Sequence, residues 1–119
     1  MASINSYRDL LIWQKSIFLV TEIYKITGAF PKEELYGLTS QIRRASVSIP
    51  SNIAEGFGRN STGDYKRFLQ ISLGSLYELQ TQVEICSRLN YLSNEHYTDV
   101  QQKAFELEKM INSMISKIK

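Results

Sequence analysis

One cysteine, one histidine and two prolines are all that this 119-residue chain holds of those types. A single cysteine, Cys86, rules out an intramolecular disulfide, and no structural zinc site can be assembled from one Cys and one His. Its apolar neighbours Val83, Ile85 and Leu89 point to a small buried side chain, with a reactive thiol as the alternative. Proline occurs only at 31 and 50, so long stretches are free to be helical. The longest apolar runs are far too short to span a bilayer, which argues against a membrane partner. The opening residues lack a charged start followed by an apolar stretch, so no secretory leader is expected and a reducing cytoplasm is the expected compartment. Strong charge bias is missing too. With 14 Lys+Arg against 12 Asp+Glu, the chain is not a dedicated polycation.

What is present is helical periodicity. Leu10, Trp13, Ile17, Val20, Tyr24 and Thr27 recur at steps of three and four, a stripe along one face of a helix over about residues 8–27. Gly28, through a left-handed cap, and Pro31 are expected to end it. A second stripe, Leu35, Leu38, Ile42, Ala45, Ile49, Ile53 and Phe57, spans about residues 33–59 and stays in phase across Pro50. That continuity predicts one helix kinked at the proline rather than two, with Ser46 and Ser48 helping to satisfy freed backbone groups. The glycine-rich stretch 56–63 reads as a loop, and Ser61 or Thr62 starts a third helix to about residue 89, with Asp64 in its first turn. Its stripe is Phe68, Ser72, Leu76, Leu79, Val83 and Cys86. After a break at 90–94, a fourth helix to about residue 118 carries Tyr97, Val100, Ala104, Leu107, Ile111, Met114 and Ile118, a near-heptad seam. No strand pattern competes. Short connections between helices of similar length predict an all-α, antiparallel up-down-up-down four-helix bundle in one domain, 1–119.

The apolar content exceeds one seam per helix. Ile12, Phe18, Leu19, Ile23 and Ile26 lie off the first stripe, and Leu69, Ile71, Leu73, Tyr77 and Ile85 off the third. A second buried surface made by self-association is the simplest account, the alternative being a wider core-facing arc or scattered surface residues.

Chemistry is sparse. His96 stands beside Glu95 near the start of the last helix, the wrong spacing for both to face one metal, and no phosphate loop or nucleophile–base pair is visible. The chain is therefore expected to be a non-enzyme with no metal, cofactor or small-molecule substrate. The informative polar residues are on the second and third helices. Gln41, Arg44, Ser48, Asn52, Glu55 and Arg59 form a polar stripe beside the apolar one, and Ser72, Ser75, Glu78 and Gln82 form another. Facing each other, they would make a structural network or a subunit interface, with a charge-assisted bond such as Arg44 to Glu78. The other reading is a phosphate-binding surface made by Arg43, Arg44, Arg59, Lys66 and Arg67. Residues 43–67 carry a net charge of +3, whereas residues 68–119 carry −1.

The segment Tyr36–Arg59 resembles the signature of the 23S rRNA intervening-sequence proteins, most specifically in Gly37–Ala45 and Asn52–Gly56. Leu11–Lys15, Phe30–Pro31, Tyr65–Leu69 and Gly74–Glu78 agree in order, and the last helix agrees in pattern; Ser72 stands where the family often has alanine. The resemblance implies a ring-like homopentamer and a link to segments inserted in ribosomal RNA genes. Related bundle proteins accompany diversity-generating retroelements, and so RNA or DNA held on a basic surface is the implied partner. It implies no catalytic residue. A protein-interaction scaffold without a nucleic-acid ligand is the alternative.

Overall fold

A computed structural model describes residues 3–118, and four helices carry the chain: α1, Leu11–Thr27; α2, Leu38–Phe57; α3, Thr62–Arg88; α4, Asn94–Lys117. Each has a local cause. Ahead of α1, Ser6 caps a 3-10 turn, Tyr7–Asp9, accepting from Arg8 N at 3.0 Å while the Asp9 carboxylate accepts from Ser6 N at 3.1 Å. Leu10 is extended and separates that turn from α1, which therefore begins at Leu11 rather than at residue 8. Gly28 closes α1 in a right-handed, not left-handed, conformation. The stop comes from tightening into a 3-10 bond, Phe30 N to Thr27 O at 3.1 Å, followed by Pro31. Ser61 and Ser93 cap α3 and α4, accepting from Asp64 N and His96 N at 3.1 Å each. Asn90, with φ 63°, ends α3 in the left-handed region that asparagine tolerates, and Tyr91 N reaches back to Cys86 O at 2.9 Å.

α2 starts five residues later than the stripe predicts. Lys32–Glu34 forms a separate 3-10 turn, and the Glu34 carboxylate accepts from Leu38 N at 3.2 Å, so α2 is launched from outside itself. Leu35, assigned to the core by periodicity, is instead half exposed beside the fully exposed Tyr36. From Leu38 the helix runs unbroken through the buried Pro50. The serine hydroxyls do not serve the proline break: Ser46 donates to Arg43 O at 2.8 Å and Ser48 pairs with Ser75.

Consecutive helices pack against one another, α1 on α2, α2 on α3 and α3 on α4, and α1 also meets α4, closing a four-membered ring around one core. Ile42, Ile49 and Ile53 of α2, Leu69, Leu76, Leu79 and Val83 of α3, and Val100, Ala104, Leu107 and Ile111 of α4 fill it. The α1 contribution corrects the sequence stripe. Ile12, Leu19 and Ile23, read as extra, are the core residues, whereas Ile17 and Tyr24 face outward. The α1–α4 seam is tied by ion pairs, Lys15 to Glu106 at 2.6 Å and Lys103 to Glu22 at 3.1 Å. The antiparallel order puts the start of α1, the α2–α3 turn and the end of α4 at one end of the bundle, which measures 43 × 26 × 20 Å. No helix among the described residues is long and apolar enough to cross a membrane.

Candidate nucleic-acid interface

α2 and α3 approach closely because small residues meet along their contact. Ser72 donates to Ile49 O at 2.9 Å inside the core, and the Ser48 and Ser75 hydroxyls lie 2.8 Å apart half-way to the surface. Asn52 extends this line, its amide donating to Ser48 O at 2.8 Å and to Ser48 Oγ at 3.0 Å. At the end of α2, Gly56 lies so near α3 that a Cβ there would sit 2.6 Å from Phe68 Cβ. The predicted facing polar stripes thus meet through Ser48, Asn52 and Ser75. The rest of the stripe does not join them. Arg44 and Glu78 make no ion pair with each other; together with Gln41 they line a shallow open groove above Ser48. Glu55 is exposed and receives a bond from Arg59 Nη2 at 2.9 Å one turn later.

The five basic residues divide among three places. Arg43 turns toward α1: its Nε donates to Thr27 Oγ1 at 2.8 Å, its Nη2 to Tyr24 O at 3.4 Å, and the guanidinium lies 4.6 Å from the Tyr24 ring centre. A cation at the carbonyl end of α1 is where the helix dipole favours it, so Arg43 is occupied in holding α1 to α2. Arg44 stands in the groove with Glu78. Arg59, Lys66 and Arg67 gather at the α2–α3 turn, roughly 22 Å along the helix from Arg44 at 1.5 Å per residue. There Arg59 and Arg67 lie 5.1 and 5.5 Å from the centre of the Phe68 ring. The aromatic ring packs against both guanidinium groups and limits their motion; Arg67 is in no ion pair among the described residues, whereas Arg59 gives one N–H to Glu55. Lys66 is half-buried and Arg67 exposed, and neither is in an ion pair among the described residues. The first amides of α3, at Thr62 and Gly63, lack intrahelical acceptors by geometry, with the Asp64 carboxylate close by.

Phe68 as a platform, and Thr27 and Tyr24 as the seat of Arg43, are not visible in the stripes, because each pairs residues from different helices. Behind the corner, Tyr65 packs edge-on against Phe57 at 6.1 Å, and burial pushes its hydroxyl above the usual phenol range. Elsewhere, burial pushes the Cys86 thiol up to about 11, with the Glu34 carboxylate adding to the effect, so Cys86 is a core side chain rather than a nucleophile. His96 is exposed at the start of α4. Among the described residues no three His, Cys, Asp or Glu side chains come together as a metal site.

The sequence profile of the 23S rRNA-intervening sequence proteins matches residues 8–113. This chain belongs to that family. The family profile runs through all four helices and includes the α2–α3 corner. The fold is shared by a crystal structure of a protein of unknown function from the S23 ribosomal protein family of Bacteroides thetaiotaomicron, with TM-score 0.80, 26% identity, and coverage of 88% of this chain and 98% of that one. No curated protein matches the chain. Membership fixes the fold and sets no catalytic residue.

Proposed function

We propose that this family member is a non-enzymatic, cytoplasmic, homo-oligomeric helical bundle that binds RNA or DNA phosphates at the α2–α3 corner. The observation that carries the reading is that the guanidinium groups of Arg59 and Arg67 both pack against the Phe68 ring, with Lys66 next to Arg67 in the chain. Arginine forks suit phosphate oxygens, and groups already held by an aromatic ring lose little freedom on binding. One copy offers a weak field, because Glu55 and Asp64 stand near the three cations. Repetition on one face of a ring would focus that field, and five copies is the number the resemblance implies. The family's link to ribosomal RNA genes makes RNA the first ligand class to try.

The test is fluorescence anisotropy of labelled RNA hairpins and DNA duplexes titrated with the protein across a salt series. Expected is binding that weakens steeply with salt and falls when Arg59, Lys66 and Arg67 become Ala, while Arg43→Ala leaves it unchanged. Absence of binding at low salt would sink this reading. The second reading, a protein-interaction scaffold, is favoured by a different observation: exposed apolar side chains remain on the outer faces of α1 and α3, among them Ile17, Phe18, Ile71 and Ile85.

A further inference from the structure

An apolar groove runs along the outer face of the α1–α2 pair, floored by the buried Pro50 and walled by Trp13, Ile17, Val20, Val47 and Ala54. Ile17 is 36% and Val47 40% exposed, so much of this surface remains wet in a single chain. At its mouth Arg8 is exposed, lies 5.4 Å from the Trp13 ring centre and is in no ion pair among the described residues.

A matching projection belongs to the same chain. In the connection between α1 and α2, Tyr36 is 93% and Leu35 49% exposed, an apolar knob where a connection is normally polar. The knob is fixed from behind: the Glu34 carboxylate accepts from Leu38 N at 3.2 Å and from the Tyr91 hydroxyl at 2.9 Å. Beside it stands Glu33, exposed and likewise in no ion pair among the described residues. Glu33 on the knob and Arg8 at the groove are opposite in charge, each flanked by an exposed residue of the other sign, Lys32 and Asp9, that is likewise in no ion pair among the described residues. They cannot meet within one chain, because the knob precedes α2 and the far wall of the groove, Ala54, lies about 24 Å up that helix at 1.5 Å per residue.

We propose that the Leu35–Tyr36 knob of one copy seats in the α1–α2 groove of the next, with Glu33 of the first meeting Arg8 of the second. The contact rests on the self-association in the function proposed above and specifies its geometry. It joins two different patches, so it is heterologous: each copy gives a knob and receives one, and repetition closes a ring or extends a filament. Tyrosine is well suited to such a seat, since it brings large area with few rotors to immobilise.

The test measures molar mass by light scattering after size exclusion, on the full chain and two surface variants whose helicity is checked by circular dichroism. One variant lacks the knob (Leu35→Ser with Tyr36→Ser), and the other has a blocked groove (Ile17→Glu with Val47→Glu). Expected is an oligomeric parent, with each variant monomeric and association weakened about 30-fold or more. Mixed together, the two variants should form a dimer and stop, because the blocked copy still has a knob and the knobless copy still has a groove. Reversing Arg8→Glu should weaken assembly, and adding Glu33→Arg should restore it. An oligomer unchanged by both surface variants overturns this contact and leaves self-association standing. Two monomeric variants that fail to pair when mixed overturn its heterologous geometry. A monomeric parent overturns self-association itself.

Discussion

Replacing Gly56 by alanine adds one methyl group at the tightest point of the α2–α3 contact. The new carbon would lie 2.6 Å from Phe68 Cβ and 3.3 Å from Tyr65 Cδ1. Phe68 Cβ is fixed to the α3 backbone, so no side-chain rotation relieves the clash and the two helices must separate. Overpacking of this kind costs about 1–3 kcal/mol, against which alanine recovers about 0.5–1 kcal/mol of helix propensity. The net expectation is a loss of about 1–2 kcal/mol, or roughly 5–10 °C in Tm for a domain of this size. The same substitution at Gly74, inside α3, meets nothing within 4 Å and has only the propensity gain, a rise of about 0.5–1 kcal/mol. Urea and thermal unfolding followed by circular dichroism at 222 nm, at one protein concentration so that assembly does not move the midpoint, would compare the two. Gly56→Ala as stable as the parent would refute the close-approach argument. A destabilised Gly74→Ala would show that the space outside α3 is occupied in solution.

Arg43→Ala should cost about 1–2 kcal/mol by releasing Thr27 and the carbonyl end of α1, and chemical denaturation would detect it. The Cys86 thiol should resist iodoacetamide in the folded protein and react once urea exposes it, as read by mass spectrometry. Stability should also fall at both pH extremes, each with its own sign. Tyr91 and Tyr97 are held above their usual 10.0, first by their bonds to the Glu34 and Glu84 carboxylates, and Tyr65 by burial. A raised phenol stabilises the fold below pH 10.0 and loses that contribution as pH climbs past it. Glu84 is held below 4.5, first by the Tyr97 hydroxyl and then by Arg88, so its contribution is present above that pH and lost as acid protonates it. A urea midpoint that stays flat beyond pH 10 would contradict the tyrosine assignments, and Tyr97→Phe should blunt the alkaline fall.

The helix count and the core faces of α2 and α4 were legible because their stripes have polar neighbours on either side; on α3 the stripe held, but Leu69, read as lying off it, is fully buried in the core. α1 misled because two of its faces are apolar. The face with Trp13, Ile17 and Tyr24 looked stronger than the true one, which is interrupted by Ser16, and Thr27, counted with that outward face, is buried. Those two are buried without penalty because each bonds its own helix, Ser16 to Trp13 O at 2.8 Å and Thr27 to Ile23 O at 2.7 Å. Periodicity counts Ser16 as polar, whereas the core receives it as satisfied. The start of α2 was hidden for a related reason: the Glu34 side chain supplies the first cap from a separate turn. Of the site, the Ser48–Ser75 meeting could be anticipated from facing stripes. The division of the arginines could not, since Tyr24, Thr27 and Phe68 capture them across helices.

The antiparallel order has a practical corollary for anyone handling the protein. α1 begins and α4 finishes at the end of the bundle that carries Arg59, Lys66 and Arg67. Leu11 and Ile12 already line one shallow surface with Met114 and Lys117. A peptide appended at either terminus is therefore tethered beside the basic corner, where its own charge becomes part of the local field. An acidic epitope tag would compete with phosphate there, and a polyhistidine tag would attract it. A test of the proposed nucleic-acid binding will report on the native surface only with untagged protein, or with the tag placed in the 89–93 turn at the far end.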